Sequence, residues 1–244
     1  MELSEYAQME RQEQHYWWHV GRREVLHRVL AVQLPPMGKL EVLDIGCGTG
    51  INYIWLKQWG RVIGLDPSPE ALAYCREHHA YDELVQADGT NLPFRGQFDL
   101  ITAFDVLEHT VDDINALQNW HIALKPNGYV FITVPAYQWL FSAHDQALHH
   151  RRRYSSRELR DKLEQAGFKI KFISPFFWFT FPIVMLVRLF TKQAKPKTSY
   201  VDTPSLLGRY LIGLSGAEAK FLAEGNQLPW GSSILIFAEK DSSS

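Results

Sequence analysis

An apolar stretch that runs directly into three glycines, residues 40–50 (LEVLDIGCGTG), constrains the fold more than any other feature. Its apolar residues first alternate and then become continuous, which predicts a buried β-strand. Gly46, Gly48 and Gly50 follow at alternate positions, where the absence of side chains lets the backbone approach a ligand closely. A strand, a glycine loop and a following helix predict an α/β domain with its ligand at the end of this strand.

Three more predicted strands each end close to an aspartate. The stretch RVIGLD ends in Asp66, which lies 20 residues beyond Gly46, and VQADG contains Asp88. The stretch QFDLITAFD ends in Asp105 and continues as DVLEHTVDD. Because ligands bind outside the carboxyl ends of the strands in open α/β sheets, we expect these aspartates to lie along one ligand crevice.

The chain resembles the class I S-adenosylmethionine-dependent methyltransferases, including those that act on small molecules and in quinone biosynthesis. The resemblance rests on four motifs that occur in this order: DIGCGTG, GLD, ADG and FDLITAFDVLEH. The resemblance covers residues 40–177 and the last strand. It implies an α/β, Rossmann-like sheet of seven mostly parallel strands with helices on both faces and an antiparallel last hairpin. The general dinucleotide fingerprint G-x-G-x-x-G fails here, because Ile51 stands where its third glycine belongs.

The resemblance also implies a cofactor, S-adenosyl-L-methionine, and places it along the carboxyl ends of the strands. Asp66 would accept hydrogen bonds from the ribose hydroxyls, Asp88 from the adenine amino group, and backbone near Asp105 would face the methionine part. The cofactor-binding candidates are Asp44, Gly46, Cys47, Gly48, Gly50, Asp66, Asp88, Gly89, Phe104, Asp105, Val106, Trp18 and Arg22.

The chain is predicted to divide into an N-terminal helical cap, residues 1–36, and a methyltransferase domain, residues 37–244. A helical insertion is expected at about 178–231, before the last strand. The cap is predicted to be helical over residues 5–34. It is either a lid whose Arg22 or Arg23 meets the cofactor carboxylate, or a helix that the aromatic cluster HYWWH attaches passively to the domain.

The loop after the fifth predicted strand, residues 136–154, holds the catalytic candidates His144, His149 and His150. Histidine titrates near neutral pH, so one of them could remove a proton from the methyl acceptor, with Asp145 orienting it. Two alternatives stay open for the basic part of this loop, HHRRR. It is a solvated turn, or its arginines Arg152 and Arg153 meet an anionic acceptor.

Composition narrows the partners. The net charge of −2 argues against nucleic acid as a partner. The two cysteines have no spacing that suggests a metal site or a disulfide, so we expect no bound metal and a cytoplasmic protein.

The aromatic stretch 172–190 and the following Lys192, Lys195 and Lys197 allow two interpretations. We favour core or substrate wall over a membrane-facing hairpin, although the hairpin would suit a lipid-borne acceptor.

These features predict methyl transfer to a small-molecule acceptor, or to one linked to a lipid or a saccharide. One alternative is a nicotinamide-dependent oxidoreductase, which Asp66 would suit but Ile51 does not. Another is a nucleic-acid (RNA) methyltransferase, which the basic run HHRRRY suggests. A third is a binding module that kept the fold without the activity. The acceptor, the atom methylated and the oligomeric state are not predicted.

Overall fold

A computed structural model describes the backbone of residues 3–191 and 205–241, and the side chains of 5–187 and 205–241. The strands are β1 Leu40–Ile45, β2 Gly60–Asp66, β3 Glu83–Gln86, β4 Phe98–Phe104, β5 Leu124–Pro135, β6 Phe168–Phe176 and β7 Ser233–Lys240. The helices are α1 Leu3–His15, α2 Trp17–Gln33, α3 Tyr53–Leu56, α4 Pro69–His78, α5 Asp113–Ala123, α6 Ala143–Ala147, α7 Ser156–Gln165, α8 Phe181–Thr191 and α9 Ser205–Ala223.

The seven strands form one sheet in the order β3-β2-β1-β4-β5-β7-β6. The pairs β1–β2, β1–β4, β2–β3 and β4–β5 are parallel, whereas β7 runs antiparallel to both β5 and β6. This confirms the predicted sheet and its antiparallel last hairpin. The strand order reverses between β1 and β4, so their carboxyl ends open a crevice at this edge of the sheet.

Alternate residues of the strands supply two hydrophobic cores, one on each face of the sheet. On one face, Leu43 and Ile45 belong to a cluster that α5 and α7 complete with Trp120 and Leu159. On the other face, Val42, Val62 and Leu100 belong to a cluster with Leu26 of α2 and Leu222 of α9. Helices α2 and α9 therefore pack on this face of the sheet and share its core.

Helices α2 and α9 approach each other closely at Gly21. A Cβ atom added there would lie 2.3 Å from Ser215 Oγ and 2.7 Å from its Cβ. Since real Cβ atoms do not come this close to their neighbours, glycine is what lets the two helices pack at this distance. Gly213, two residues before Ser215 on α9, has open space around its Cβ position.

Several predicted element boundaries differ from the structure. The helix predicted over residues 5–34 breaks at Tyr16, whose extended backbone (φ −71°, ψ 127°) separates α1 from α2. Strand β5 also contains an irregularity near its start, where Asn127 has φ 61°. The short-range pattern could not show these features, because contacts with other parts of the chain decide where an element bends or ends.

The aromatic stretch 172–190 divides into two parts. Phe172, Phe176 and Phe177 are buried, as the core interpretation predicted, whereas α8 exposes much of its apolar surface. The lysines 192, 195 and 197 lie outside the described residues. Within residues 3–191 and 205–241, no helix combines the length and the apolar character that crossing a bilayer requires.

The packing of α2 on α9 predicts opposite effects for two glycine substitutions. Gly21→Ala should lower the free energy of unfolding, because overpacking typically costs about 1–3 kcal/mol. Gly213→Ala should raise it by about 0.5–1 kcal/mol, since alanine is the better helix former and nothing obstructs its side chain. Urea denaturation of both variants measures the two effects, and a Gly21→Ala protein as stable as the parent would contradict the close helix packing.

Candidate active site

A cavity of about 470 Å³ lies at the crevice between the ends of β1 and β4. Its walls come from the N-terminal helices, the glycine loop, the end of β4 and the loop after β5. Seven of the predicted cofactor residues line it: Trp18, Arg22, Gly46, Cys47, Gly48, Phe104 and Asp105. The other six are not part of its wall: Asp44, Gly50, Asp66, Asp88, Gly89 and Val106.

Asp44 shapes the glycine loop from behind. Its carboxylate is fully buried and accepts hydrogen bonds from Thr102 Oγ1 at 2.8 Å and from the Tyr81 hydroxyl at 2.9 Å. Burial raises the pKa of Asp44 to about 6. Gly46 follows with φ 68°, and a Cβ there would lie 2.6 Å from Val106 Cγ2, so both backbone and packing require glycine.

Asp66 connects the end of β2 to the same loop. Its carboxylate accepts hydrogen bonds from the backbone N–H of Gly48 at 3.0 Å and of Ser68 at 2.9 Å. Burial of the carboxylate raises its pKa. A carboxylate accepts up to about four hydrogen bonds, so acceptor capacity is left for hydroxyl groups of a ligand.

Asp88 occupies a turn after β3. Its exposed carboxylate accepts hydrogen bonds from the backbone N–H and the hydroxyl of Thr90, at 2.8 and 2.9 Å. The carbonyl of Gly89 accepts a hydrogen bond from the Trp120 indole at 2.7 Å. These contacts are those of a strand-end turn, and the predicted adenine contact of Asp88 stays a prediction.

Arg22 places a cation in the cavity and holds the cap to the sheet. Its guanidinium lies 2.9 Å from the Asp105 carboxylate, and it is 5.5 and 5.8 Å from the ring centroids of Trp18 and Phe104. Thr133 Oγ1 donates to Asp105 at 3.0 Å, which fixes this aspartate in its left-handed conformation (φ 57°). The alternative candidate, Arg23, also lines the cavity, and its guanidinium donates to the backbone carbonyl of Glu13.

Helix α1 bridges the glycine loop and α4. Glu13 is buried and accepts a hydrogen bond from the hydroxyl of Thr49 in the loop. Further along α1, the hydroxyl of Tyr6 is 3.0 Å from Ser68 Oγ. Burial raises the pKa of Glu13 to about 7, so the neutral form of this residue favours the docked helix.

The opposite wall of the cavity carries a histidine that is held by a buried carboxylate. His150 Nδ1 is 3.0 Å from Asp145 Oδ1, and a carboxylate can only accept, so this nitrogen carries the proton. Asp145 also accepts hydrogen bonds from Arg153 Nε at 2.8 Å and from the backbone N–H of Ser142 at 2.9 Å. The predicted pairing of Asp145 with a histidine is present, and it leaves His150 Nε2 as the acceptor nitrogen.

The other members of this loop have different positions. His144 lines the cavity, whereas His149 is exposed with φ 59° and lies outside the cavity wall. Arg152 donates to the Asp113 carboxylate at 3.0 Å and to the carbonyl of Val111 at 2.8 Å. Arg153 is buried and paired with Asp145, so these two arginines are held inside the protein rather than in a solvated turn, and their contact with an anionic acceptor stays a prediction.

Sequence reasoning missed Glu108 and His109 as site residues, although both stand in the quoted stretch DVLEH. Glu108 is fully buried at the cavity, and neither of its carboxylate oxygens has a hydrogen-bond partner among the described residues. Burial, reinforced by the negative charge of Asp105, raises its pKa well above the ordinary value. The signal was an acid and a histidine next to each other just beyond a strand's carboxyl end.

Glu108, His109 and His150 each offer one ligand atom, and these atoms lie within 4.8 Å of one another. Imidazole and carboxylate are ligands that divalent transition metals accept. The cluster thus has the composition of a metal site. The sequence-based prediction that no metal is used remains a prediction.

Comparison with known proteins identifies the family. A model of the methyltransferase domain matches residues 10–171, most of the chain. The chain belongs to this methyltransferase family. The predicted class I S-adenosylmethionine-dependent methyltransferase is thereby confirmed at the level of the family.

Two curated relatives show how far the similarity extends. A ubiquinone biosynthesis O-methyltransferase of Thiobacillus denitrificans is 31% identical over 134 residues, which are 49% of this chain and 57% of the relative. A probable S-adenosylmethionine-dependent methyltransferase of Mycolicibacterium smegmatis is 28% identical over 163 residues, 65% of this chain and 62% of the relative. The chain spans about half the length of the curated relatives it matches.

A solved structure extends the likeness over nearly the whole fold. It is the complex between the Haloferax volcanii Trm112 methyltransferase activator and a putative methyltransferase, with a TM-score of 0.64 and 19% identity. The match covers 98% of this chain and 95% of the other. At this identity the likeness supports the fold alone.

The buried position of Glu13 predicts that docking of α1 weakens as the pH rises. A carboxyl whose folded pKa is raised stabilises the docked helix fully below about pH 4.5, and this contribution is lost as the pH passes about 7. Protection of α1 from hydrogen–deuterium exchange, corrected for the intrinsic rate, should fall roughly tenfold between pH 6 and pH 8. Glu13→Gln should abolish this pH dependence, whereas Glu5→Gln, on the exposed side of the same helix, should retain it.

Proposed function

We propose that this protein transfers a methyl group from S-adenosylmethionine to a small-molecule acceptor. The observation that carries the proposal is a single cavity with a glycine loop and Arg22 on one wall and the Asp145–His150 pair on the other. Curated relatives named as ubiquinone biosynthesis O-methyltransferases favour a hydroxyl as the group methylated. An acceptor joined to a lipid or a saccharide is the narrower form of the same proposal.

The glycine-loop wall fits the donor. Gly46 and Gly48 leave the backbone open, and a side chain at Gly46 would overlap Val106. Asp66 would accept hydrogen bonds from the ribose hydroxyls. Arg22 would bind the cofactor carboxylate, either in place of Asp105 or together with it. Helix α1, held to the loop through Glu13, would close over the bound donor.

The histidine wall fits the acceptor. When bound, S-adenosylmethionine supplies a methyl group on a positively charged sulfur, so alignment of the acceptor oxygen is the main demand on the protein. His150 Nε2 would take the proton of the acceptor hydroxyl as the oxygen–methyl bond forms and the bond to sulfur breaks. Asp145 would stabilise the charged imidazole that results, as it is already bonded to Nδ1.

The rival functions differ in the observations that support them. Membership of the methyltransferase family leaves the nicotinamide-dependent oxidoreductase without support. A nucleic-acid acceptor rests on the run HHRRRY, whose Arg152 and Arg153 are paired with Asp113 and Asp145 inside the protein. A screen of acceptors that follows S-adenosylhomocysteine release, with RNA among them, separates a small-molecule enzyme from an RNA methyltransferase and from a binding module.

Asp66→Asn tests the donor site. Hydrogen bonds to a charged group are worth about 1.5–3 kcal/mol each, so the affinity for S-adenosylmethionine should fall roughly tenfold to a hundredfold. Isothermal titration calorimetry measures it, with Asp161→Asn on the exposed face of α7 as the matched control. Equal affinities in a folded Asp66→Asn protein and the parent would remove Asp66 from the site.

His150→Ala tests the proposed base once an acceptor is known. The methylation rate should fall by a factor of about 10²–10⁴, with little change in cofactor affinity, because the variant loses only the proton acceptor. Asp145→Asn should also lower the rate and alter its pH profile, since the amide cannot stabilise a charged imidazole. His149→Ala is the control, as His149 is exposed outside the cavity.

The same assay distinguishes a base from a metal ligand. If His150 acts as a base, a chelator should leave the rate of the parent protein unchanged. A parent rate that collapses with the chelator and returns with a divalent metal would instead assign His150 to the cluster with Glu108 and His109.

A further inference from the structure

One arginine of the cavity wall is buried and still has hydrogen-bond donors to offer. Arg153 lines the cavity, and only 5% of its side chain is exposed. Its Nε donates to Asp145 at 2.8 Å, and its Nη1 donates to the backbone carbonyl of Ala136 at 3.1 Å. A guanidinium carries five N–H groups, so these two bonds leave three of them unused. Since a buried donor without a partner costs free energy, the position favours a ligand that accepts hydrogen bonds.

The third nitrogen of this guanidinium is the one that remains for a ligand. Among the described residues, Nη2 of Arg153 has no hydrogen-bond partner. It is also not one of the unpartnered atoms that are sealed from solvent, whereas both carboxylate oxygens of Glu108 are. Because the rest of the side chain is buried and lines the cavity, a group inside the cavity is what Nη2 can bind.

Arg153 stands beside the proposed base. Arg153 Nε and His150 Nδ1 are both bonded to the same oxygen, Asp145 Oδ1, at 2.8 and 3.0 Å. The two nitrogens are therefore separated by at most the sum of these distances, about 5.8 Å. A small molecule that presents a hydroxyl to the imidazole thus has the guanidinium close to its neighbouring groups.

The neighbouring arginine is placed differently. Arg152 donates to the Asp113 carboxylate and to the backbone carbonyls of Thr110 and Val111, and it is not part of the cavity wall. Of the two arginines that the sequence offers to an anionic acceptor, only Arg153 lies at the cavity.

The charges around Arg153 favour an anion. Asp145 is its carboxylate partner among the described residues, and the same carboxylate also holds His150. Burial raises the pKa of Glu108, on the same wall, well above the ordinary value, so Glu108 does not cancel the guanidinium charge. Bound S-adenosylmethionine carries a positive sulfur, and an imidazole that takes a proton adds a second positive charge. A negative group on the acceptor would balance them.

We propose that Arg153 binds an anionic oxygen group of the methyl acceptor, a carboxylate or a phosphate, while His150 holds the hydroxyl that is methylated. Both anions present oxygens in the geometry that the fork of a guanidinium recognises. This assignment rests on the proposed methyl transfer and narrows the acceptor to a hydroxyl compound with a negative group a few bonds away. Arg153 is then a specificity-determining residue as well as a support for Asp145.

A panel of matched acceptors tests the charge. The full chain with S-adenosylmethionine is offered lactate with lactamide, salicylate with salicylamide, and glycerol phosphate with glycerol, and release of S-adenosylhomocysteine is measured. For at least one pair, kcat/KM should be roughly tenfold to a hundredfold higher for the charged member. The phosphate and carboxylate pairs show which anion is preferred. Turnover confined to neutral members overturns the proposal, as does a panel in which no charged member is methylated or competes.

Arg153→Gln tests the residue. Asp145 also loses its charged partner in this variant, so the rates of both members of a pair fall, and the informative quantity is the ratio between them. The preference for the charged member should decrease roughly tenfold to a hundredfold, whereas a merely structural role would leave the ratio unchanged. The control is Arg157→Gln, because the Arg157 side chain is 91% exposed on α7. A folded Arg153→Gln protein with the ratio of the parent contradicts the role of Arg153.

Further measurements keep the outcomes apart. If Arg153→Gln does not fold, Arg153→Lys replaces it, since lysine keeps a charge near Asp145 but lacks the fork of nitrogens. It should reduce the same ratio about tenfold, and an unchanged ratio counts against the proposal. Circular dichroism and calorimetric S-adenosylmethionine binding should match the parent in the folded variant. A parent chain that fails to bind the cofactor contradicts the proposed function, and calorimetric binding of the charged and neutral members then tests the anion site by itself.

Discussion

The ion pair between Arg22 and Asp105 holds together the parts from which the site is built. Arg22 belongs to α2, and Asp105 directly follows β4, so their contact at 2.9 Å joins the N-terminal helices to the crevice edge of the sheet. The rings of Trp18 and Phe104 lie near the guanidinium of Arg22, and only 15% of the Arg22 side chain and 28% of the Asp105 side chain are exposed, so partial shielding from water strengthens the interaction. Both residues of the pair line the cavity, so the contact lies where the N-terminal helices meet the site.

Two buried carboxyl groups on the histidine side of the cavity have contrasting surroundings. Asp145 is paired with Arg153 and His150, so its negative charge is balanced and positions the imidazole. Glu108 has no hydrogen-bond partner among the described residues, and burial raises its pKa well above the ordinary value. The site therefore holds two carboxyl groups with different proton affinities. Asp145 is charged and orients a histidine, whereas Glu108 resists ionisation.

The insertion contributes to both the hydrophobic core and the surface of the protein. The buried half of α9, at Ser215 and Leu222, packs against α2 and completes the core on one face of the sheet. Its first turns, with α8, are exposed and apolar, and Val184 of α8 reaches the cavity. One segment therefore contributes to both the core of the sheet and the wall of the site.

The amino-acid sequence alone determined the strands and the glycine loop, because strand periodicity and glycine placement are local properties that persist in the fold. The resemblance added that the sheet has seven mostly parallel strands and an antiparallel last hairpin. It also indicated the pairing of Asp145 with a histidine, since both stand in one loop. It could not choose among His144, His149 and His150, because the choice depends on which ring a turn directs into the cavity.

Only the tertiary structure decided the long-range features. The close approach of Gly21 to Ser215 joins residues nearly two hundred positions apart. The burial of Glu108 without a hydrogen-bond partner among the described residues depends on what surrounds it from several elements. The ion pair of Arg22 with Asp105 likewise exists only once α2 lies across the sheet. Burial and distance between remote residues are properties of the packed chain, and no local sequence pattern encodes them.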